Sequence, residues 1–284
     1  MKFGVMFANV GPFGQAEGLT HLARTAEAVG FESLWTVEHV VVPKGYQSPY
    51  PYAKEGKMPG PEESPIPDPL VWLGFAAAVT KTIRLATGIL ILPQRHPLYV
   101  AKELATLDQL SGGRALLGVG IGWLAEEFQA LGVPFEERMA RTDESIRALR
   151  SLWADGPSKF DGKHYRWAAL ESNPKPRQRP GVPIVVGGHT PGAARRAARL
   201  GNGFFPARPD NLVELIRILH DECGKVGRDP AQIEITSGSL PTLDEVKRLR
   251  DLGVQRFVTG PPGFAPDDVT RGFEKLGNEI LAKL

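Results

Sequence analysis

The chain has 284 residues, 42% of them hydrophobic and 23% charged, with a formal charge of +2, so it can bury one large core and carries no mark of a disordered or fibrous protein. Such a balanced charge leaves no electrostatic footprint for nucleic acid, and the single cysteine, Cys223, excludes a disulfide framework and any cysteine-built zinc site. No apolar run approaches the roughly 18 residues of a membrane-spanning helix, and the N-terminus enters a strand-like segment at once without a signal-peptide core, so the expected location is the cytoplasm.

In chain order, short β-branched or apolar runs at 3–8, 33–38, 83–90, 115–120, 184–188, 203–207, 233–237 and 256–260 read as strands. Helical periodicity runs over about 16–29, 68–81, 97–111, 136–154, 191–200, 211–226, 242–252 and 266–283. Parallel neighbours need a crossover and each helix supplies one, so the expected fold is α/β, a single (β/α)8 TIM barrel. An open doubly wound sheet is the rival. It would place a glycine fingerprint after its first strand, where this chain has only the turn glycines Gly11 and Gly14. The run Gly118-Val119-Gly120-Ile121-Gly122-Trp123 has the look of a dinucleotide loop, but Trp123 is too bulky for the third glycine position. No P-loop is present.

Two insertions break the rhythm. Residues 40–67, after the second strand, hold seven prolines together with Tyr46, Tyr50 and Tyr52. A long loop after a barrel strand lies on the catalytic face, which makes this one a candidate lid, the alternative being a solvated, irregular surface. Residues 155–183, after the fourth helix, contain Phe160, Tyr165 and Trp167 and are expected to brace the barrel. The arginines 195, 196 and 199 span one helical turn and read as a solvated face.

Barrel active sites sit at the C-terminal ends of the strands. That filter leaves Asn9, Glu38, His39, residues 87–89, His96, residues 120–127, residues 187–190, and Pro206, Arg208, Ser237, Ser239 and Thr259. His39 is the best proton-handling group, because imidazole titrates near neutrality. Strand alternation sends Glu38 to the other side, so the two need not form a dyad. His96, between Arg95 and Pro97, is either a pocket residue or a helix cap. Gly187-Gly188-His189-Thr190 ends a strand and opens a helix, with Thr190 as N-cap and Pro191 behind it. The segment is either a phosphate cradle or a tight turn. Glu126 and Glu127 read as the solvated face of an amphipathic stretch, which leaves no facing pair of carboxylates for glycoside hydrolysis. Without a His-Glu-x-x-His or a similar cluster, no metal site is expected.

The run 83–97 centred on Thr87-Gly88-Ile89, with Ala101-Lys102, Ala105-Thr106-Leu107-Asp108, Leu110 to Arg114 and Leu117 to Trp123, resembles the bacterial luciferase-like flavin and deazaflavin enzymes. Within that family it is most similar to the branch that uses coenzyme F420. Ala26-Glu27, Gly30-Phe31, Glu38-His39, Val186-Gly187-Gly188 and Ala197 to Gly203 support the match, which spans nearly the whole chain as one domain, 1–284. The resemblance implies a deazaflavin or flavin ring on the C-terminal face, against a non-proline cis peptide and bulge placed here at Gly88-Ile89. Thr87, Gly88 and Ile89 would contact the ring, and Gly187, Gly188, His189 and Thr190 would hold the cofactor's phosphate. His39 would lie near the reactive edge, with Glu38, Tyr46, Tyr50, Tyr52, His96 and Trp123 lining the substrate pocket.

The implied activity is hydride transfer between reduced F420 and a small organic substrate. FMN-dependent two-component monooxygenation is the alternative within the class. A glycosidase or lyase on the same barrel, or a non-catalytic flavin-binding relative, stands further off. The implied partners are the substrate and a separate reductase that recycles the cofactor. A homodimer is compatible, while nucleic acid and membrane are not expected. Where the family's sugar-phosphate dehydrogenase carries a glutamate proton donor after Gly-x-Gly, this chain has Trp123, so neither that substrate nor that acid carries over. Trp123 either stacks on an apolar substrate or packs under the insertion.

Overall fold

The computed structural model describes residues 1–206 and 210–284. Arg208 and the end of the expected sixth strand, Ala207, lie outside the described residues. Among the described residues, eight parallel strands close into a barrel: β1 (Lys2–Val5), β2 (Ser33–Thr36), β3 (Arg84–Thr87), β5 (Ala115–Gly120), β8 (Ile184–Gly187), β9 (Gly203–Phe205), β10 (Glu234–Gly238) and β11 (Arg256–Thr259). The order runs β3-β2-β1-β11-β10-β9-β8-β5, and β3 pairs with β5 to close the ring. The expected third strand, 83–90, is interrupted. After β3 the Gly88-Ile89 peptide is cis, and the chain resumes as β4 (Leu90–Ile91). Ala86 pairs with Leu116 but Leu90 with Val119, so the third strand spends one more residue than its neighbour and bulges there.

The helices α1 (Ala16–Val29), α2 (Pro69–Val79), α3 (Pro97–Ser111), α5 (Arg138–Trp153), α6 (Pro191–Leu200), α7 (Leu212–Val226), α8 (Leu243–Asp251) and α9 (Pro266–Glu279) ring the barrel. Alternate strand residues serve two cores, as side chains on a strand must. Trp35, Ala86, Leu116, Val185, Phe205 and Val258 fill the barrel, with Trp35 and Phe205 edge to face at 5.4 Å. Their neighbours Leu34, Leu85, Leu117, Val186 and Phe257 pack outward against Leu73, Leu104, Leu149, Ala197 and Phe273. The short helix α4 (Ala125–Ala130), directly after β5, is one the periodicity does not predict.

Carboxylates on the helices hold the connections in place. Glu27 of α1 accepts the N–H groups of Lys81, Thr82 and Ile83 at 2.9, 2.6 and 2.9 Å. Glu144 of α5 accepts those of Lys163, His164 and Tyr165 at 3.0, 2.8 and 2.7 Å. These last three residues turn the antiparallel hairpin of β6 (Ser158–Asp161) and β7 (Arg166–Leu170), so the second insertion does brace the barrel, through regular structure that its prolines and glycines disguise.

The N-terminal end of the barrel is closed by Arg256. Fully buried, it donates to both oxygens of Glu32 at 2.9 Å, pairs with Glu234, and lies 5.4 Å from the Trp35 ring. Burial pushes the Glu32 carboxyl up, but the hydrogen bond and charge of Arg256 outweigh it and hold the group below its ordinary value. A carboxyl depressed by folding contributes stability that is present above its ordinary value and lost as pH falls through the lowered one. Arg256→Met should therefore cost about 3–5 kcal/mol in urea unfolding at neutral pH, the range for stranding a buried partner. The deficit should narrow as pH falls through the carboxylate range. A deficit independent of pH would show that the packing of the side chain matters, and not its charge.

Candidate active site

At the C-terminal mouth, the chain leaving β2 is fixed first by Asn9. This fully buried side chain accepts the Val37 N–H at 2.9 Å and donates to the Val37 and Pro67 carbonyls at 2.9 and 3.2 Å, tying the two ends of the 40–67 insertion together. The next two residues then diverge, as alternation requires. His39 Nδ1 lies 3.0 Å from Glu127 Oε2, and Glu127 Oε1 accepts the N–H groups of Val40 and Val41 at 2.6 and 3.3 Å. Glu127 belongs to α4 and its side chain is fully buried. The reading of Glu127 as a solvated helix face is thus corrected: α4 turns it inward beneath the insertion, where a carboxylate must find donors.

Glu38 goes elsewhere. Its side chain is 1% exposed and accepts Arg95 Nε at 2.8 Å and the Ile91 N–H of β4, while Arg95 also reaches Asp68, the N-cap of α2. Burial pushes the Glu38 carboxyl up against the opposing pull of Arg95. Expected in the substrate pocket, Glu38 instead clamps the strand beyond the bulge.

The insertion closes over the site through aromatic rings. Trp123 meets His39 at 5.5 Å, Tyr46 at 5.5 Å and Tyr50 at 5.2 Å, all edge to face. Tyr50 continues to Tyr52 at 5.3 Å, and Tyr52 to His189 at 5.1 Å. Of the two roles weighed for Trp123, packing under the insertion is the one these contacts display. Tyr46 is buried in the insertion's own core, and its hydroxyl accepts the Met58 N–H at 2.9 Å. Tyr52 keeps 38% of its surface open. A polar latch adds to the rings: Glu126 accepts the Ser48 hydroxyl at 2.6 Å and the N–H groups of Gln47 and Ser48 at 2.7 and 3.1 Å, while Ser48 Oγ accepts the Ala125 N–H at 3.1 Å. The Ser48 hydroxyl and the Gln47 N–H hold the Glu126 carboxyl down at about 2.

The expected cofactor residues surround the bulge. Thr87 is fully buried, with its hydroxyl donated to the Gly118 carbonyl at 2.7 Å, so only its backbone is left to meet a ligand. Gly88 lies against Trp35 and Met6, and a Cβ there would sit 3.1 Å from the indole. The Ile89 side chain occupies the space that Cβ atoms on Gly120 and Gly187 would need, at 2.5 and 2.6 Å. Gly187 therefore makes room for Ile89, where close approach of a phosphate had been the expectation.

Gly188 adopts φ +125°, open to glycine, but its N–H is already donated to the Phe205 carbonyl at 3.1 Å. Thr190 caps α6 by accepting the Ala193 N–H at 3.2 Å, and Pro191 has none to give. The first-turn N–H of Gly192 keeps no partner among the described residues. The backbone donors left unpaired are thus fewer than the four-residue segment 187–190 was expected to offer, and they lie in the first turn of α6.

His96 caps α3, its Nδ1 accepting the Leu98 N–H at 3.3 Å, and its ring turns to Tyr165 of the hairpin; no contact joins it to His39. Phe7, which no sequence signal marked, follows β1 with a left-handed φ of 59° and stays 46% exposed at the rim. Such a conformation costs a non-glycine residue about 1–2 kcal/mol, and strain of this kind gathers at working sites. Among the described residues no cluster of metal-binding side chains occurs, and no helix is long and apolar enough to cross a membrane.

The family described as luciferase-like monooxygenase matches residues 1–281, and the chain belongs to it. It is 30% identical to the F420-dependent glucose-6-phosphate dehydrogenase of Kineococcus radiotolerans over 235 residues, covering 80% of this chain and 64% of that one. It is 38% identical to the FMNH2-dependent dimethylsulfone monooxygenase of Pseudomonas putida over 148 residues, covering 51% and 40%. The crystal structure of the monooxygenase RslO1 from Streptomyces bottropensis superposes with a TM-score of 0.81 at 25% identity, covering 100% and 99%. These three are thus a dehydrogenase named for F420, a monooxygenase named for reduced FMN, and a monooxygenase.

The latch yields a direct test. Ser48→Ala removes a donor to Glu126 and the acceptor for Ala125, so amide hydrogen exchange at residues 46–50 should accelerate by roughly ten- to a hundredfold, the loss of two hydrogen bonds. Unchanged exchange would mean that the aromatic contacts alone hold the insertion.

Proposed function

We propose that this protein is an oxidoreductase that passes a hydride between deazaflavin coenzyme F420 and a small organic substrate, with His39 handling the accompanying proton. The observation that carries the reading is His39 itself. It is held at the barrel mouth between Glu127 and Trp123, on the same C-terminal face as the Gly88-Ile89 bulge, with Nε2 free of partners among the described residues. The F420-dependent relative supports the choice of cofactor.

The residues present fit such a group. The backbone of 87–89 would border the ring, and the start of α6, with Thr190 and the N–H of Gly192, would receive its phosphate in the field of the helix dipole. When bound, the deazaflavin supplies the two-electron hydride chemistry. The chain does the rest. Trp123, Tyr50 and Tyr52 cover the site and exclude water, and His39 Nε2 takes up the proton of a substrate hydroxyl or returns it to a carbonyl. Since Trp123 is an apolar wall, the favoured substrates are alcohols or carbonyl compounds without charge.

Fluorescence titration with F420 and with FMN tests the cofactor, and turnover of a panel of neutral alcohols and carbonyl compounds tests the role of His39. F420 should bind. His39→Ala should keep that binding and lose about 10²–10⁴ in kcat, the usual contribution of a general acid or base. Binding of FMN alone would favour the oxygenation performed by the Pseudomonas putida relative. Binding of neither, or full turnover by His39→Ala, would overturn the proposal.

A further inference from the structure

The two oxygens of Glu127 do different things. Oε1 accepts two backbone N–H groups, from Val40 and Val41, which begin the insertion, and Oε2 faces His39 Nδ1 at 3.0 Å. With the side chain fully buried, the carboxylate has no water to turn to; three donors converging on it favour the ionised form, which accepts at both oxygens and has no proton to give the imidazole. The hydrogen on that bond must therefore sit on Nδ1. The ring has little freedom to rotate away, because Trp123 stands edge to face against it and only 9% of its side chain is exposed.

We infer that Glu127 is a positioning residue that fixes His39 as the Nδ1–H tautomer, so that Nε2 presents a lone pair to the substrate, and that the same carboxylate ties this choice to closure of the insertion at Val40 and Val41. The functional meaning rests on the proposed role of His39. The tautomer does not, because it is a property of the protein without cofactor or substrate. The tie also makes a local prediction: when the insertion lifts at its root, Glu127 loses two of its three donors, the N–H groups of Val40 and Val41, and is left with His39.

Long-range proton–nitrogen NMR on histidine-labelled protein tests the inference, with His39 assigned by its absence in His39→Ala. In the wild type, Nδ1 should carry the pyrrole-type signal and Nε2 the pyridine-type one. In Glu127→Gln the amide oxygen can still accept the Val40 N–H, but its NH2 now faces Nδ1 and donates, so the ring proton should move to Nε2. Glu127→Asp should retain the wild-type tautomer. In turnover, Glu127→Gln should lower kcat about tenfold or more at nearly constant KM, with Glu127→Asp recovering part of the loss. A wild-type ring protonated on Nε2, or a tautomer unmoved in Glu127→Gln, would overturn the inference. If Glu127→Gln does not fold, the wild-type and Glu127→Asp spectra still decide it, since an Nε2–H signal in the wild type contradicts the assignment outright. A correct tautomer with His39→Ala fully active would refute the proposed function and leave the positioning intact.

Discussion

A carboxylate removed from water has to be given donors, and this barrel answers that demand by spending its buried carboxylates on loops. Glu38 gathers the strand beyond the bulge, Glu144 the hairpin, and Asp108 the N–H groups of Ala115 and Gln178. Glu127 does the same for the root of the 40–67 insertion and adds His39 to its set. Each bond fixes backbone at the cost of desolvating one acid, and the position of the candidate site follows from which backbone is fixed. Asn9 and Glu127 hold two successive stretches after β2, at Val37 and at Val40-Val41, while Glu38 between them holds the strand beyond the bulge.

The barrel was legible because its signals are local and redundant. Alternation of short apolar runs with helical periods needs no long-range information, and the two residue sets in Leu34-Trp35, Leu85-Ala86 and Leu116-Leu117 follow from strand geometry alone. His39 and its divergence from Glu38 were legible for the same reason. The latter's destination was not, since Arg95 lies 57 residues away and nothing local names it. Glu127 was misread because an acidic pair at the start of a short helix looks solvated unless the loop above it is known. Only the placement of residues 40–48 separates Glu126, which faces out and latches Ser48, from Glu127, which faces in.

The glycines teach a similar lesson. Gly187 was read as a seat for phosphate, yet the space it leaves is filled by Ile89, brought there by the bulge. The bulge itself costs the sequence little that can be seen: one extra residue between Ala86 and Leu90, and small residues at Gly118, Gly120 and Gly187 opposite. What is left open is the first turn of α6, where the Gly192 N–H has no partner among the described residues because of its place at a helix start, not because its residue lacks a side chain.

The central claim is that the bulge and His39 border one ligand site under the Trp123 cover. A crystal structure of the protein soaked with oxidised F420 tests this most directly. The account predicts density for the deazaflavin ring against the Gly88-Ile89 backbone with His39 at its edge, and the phosphate at the start of α6. A ring bound elsewhere on the barrel, with the mouth beneath Trp123 closed and unaltered, would contradict it.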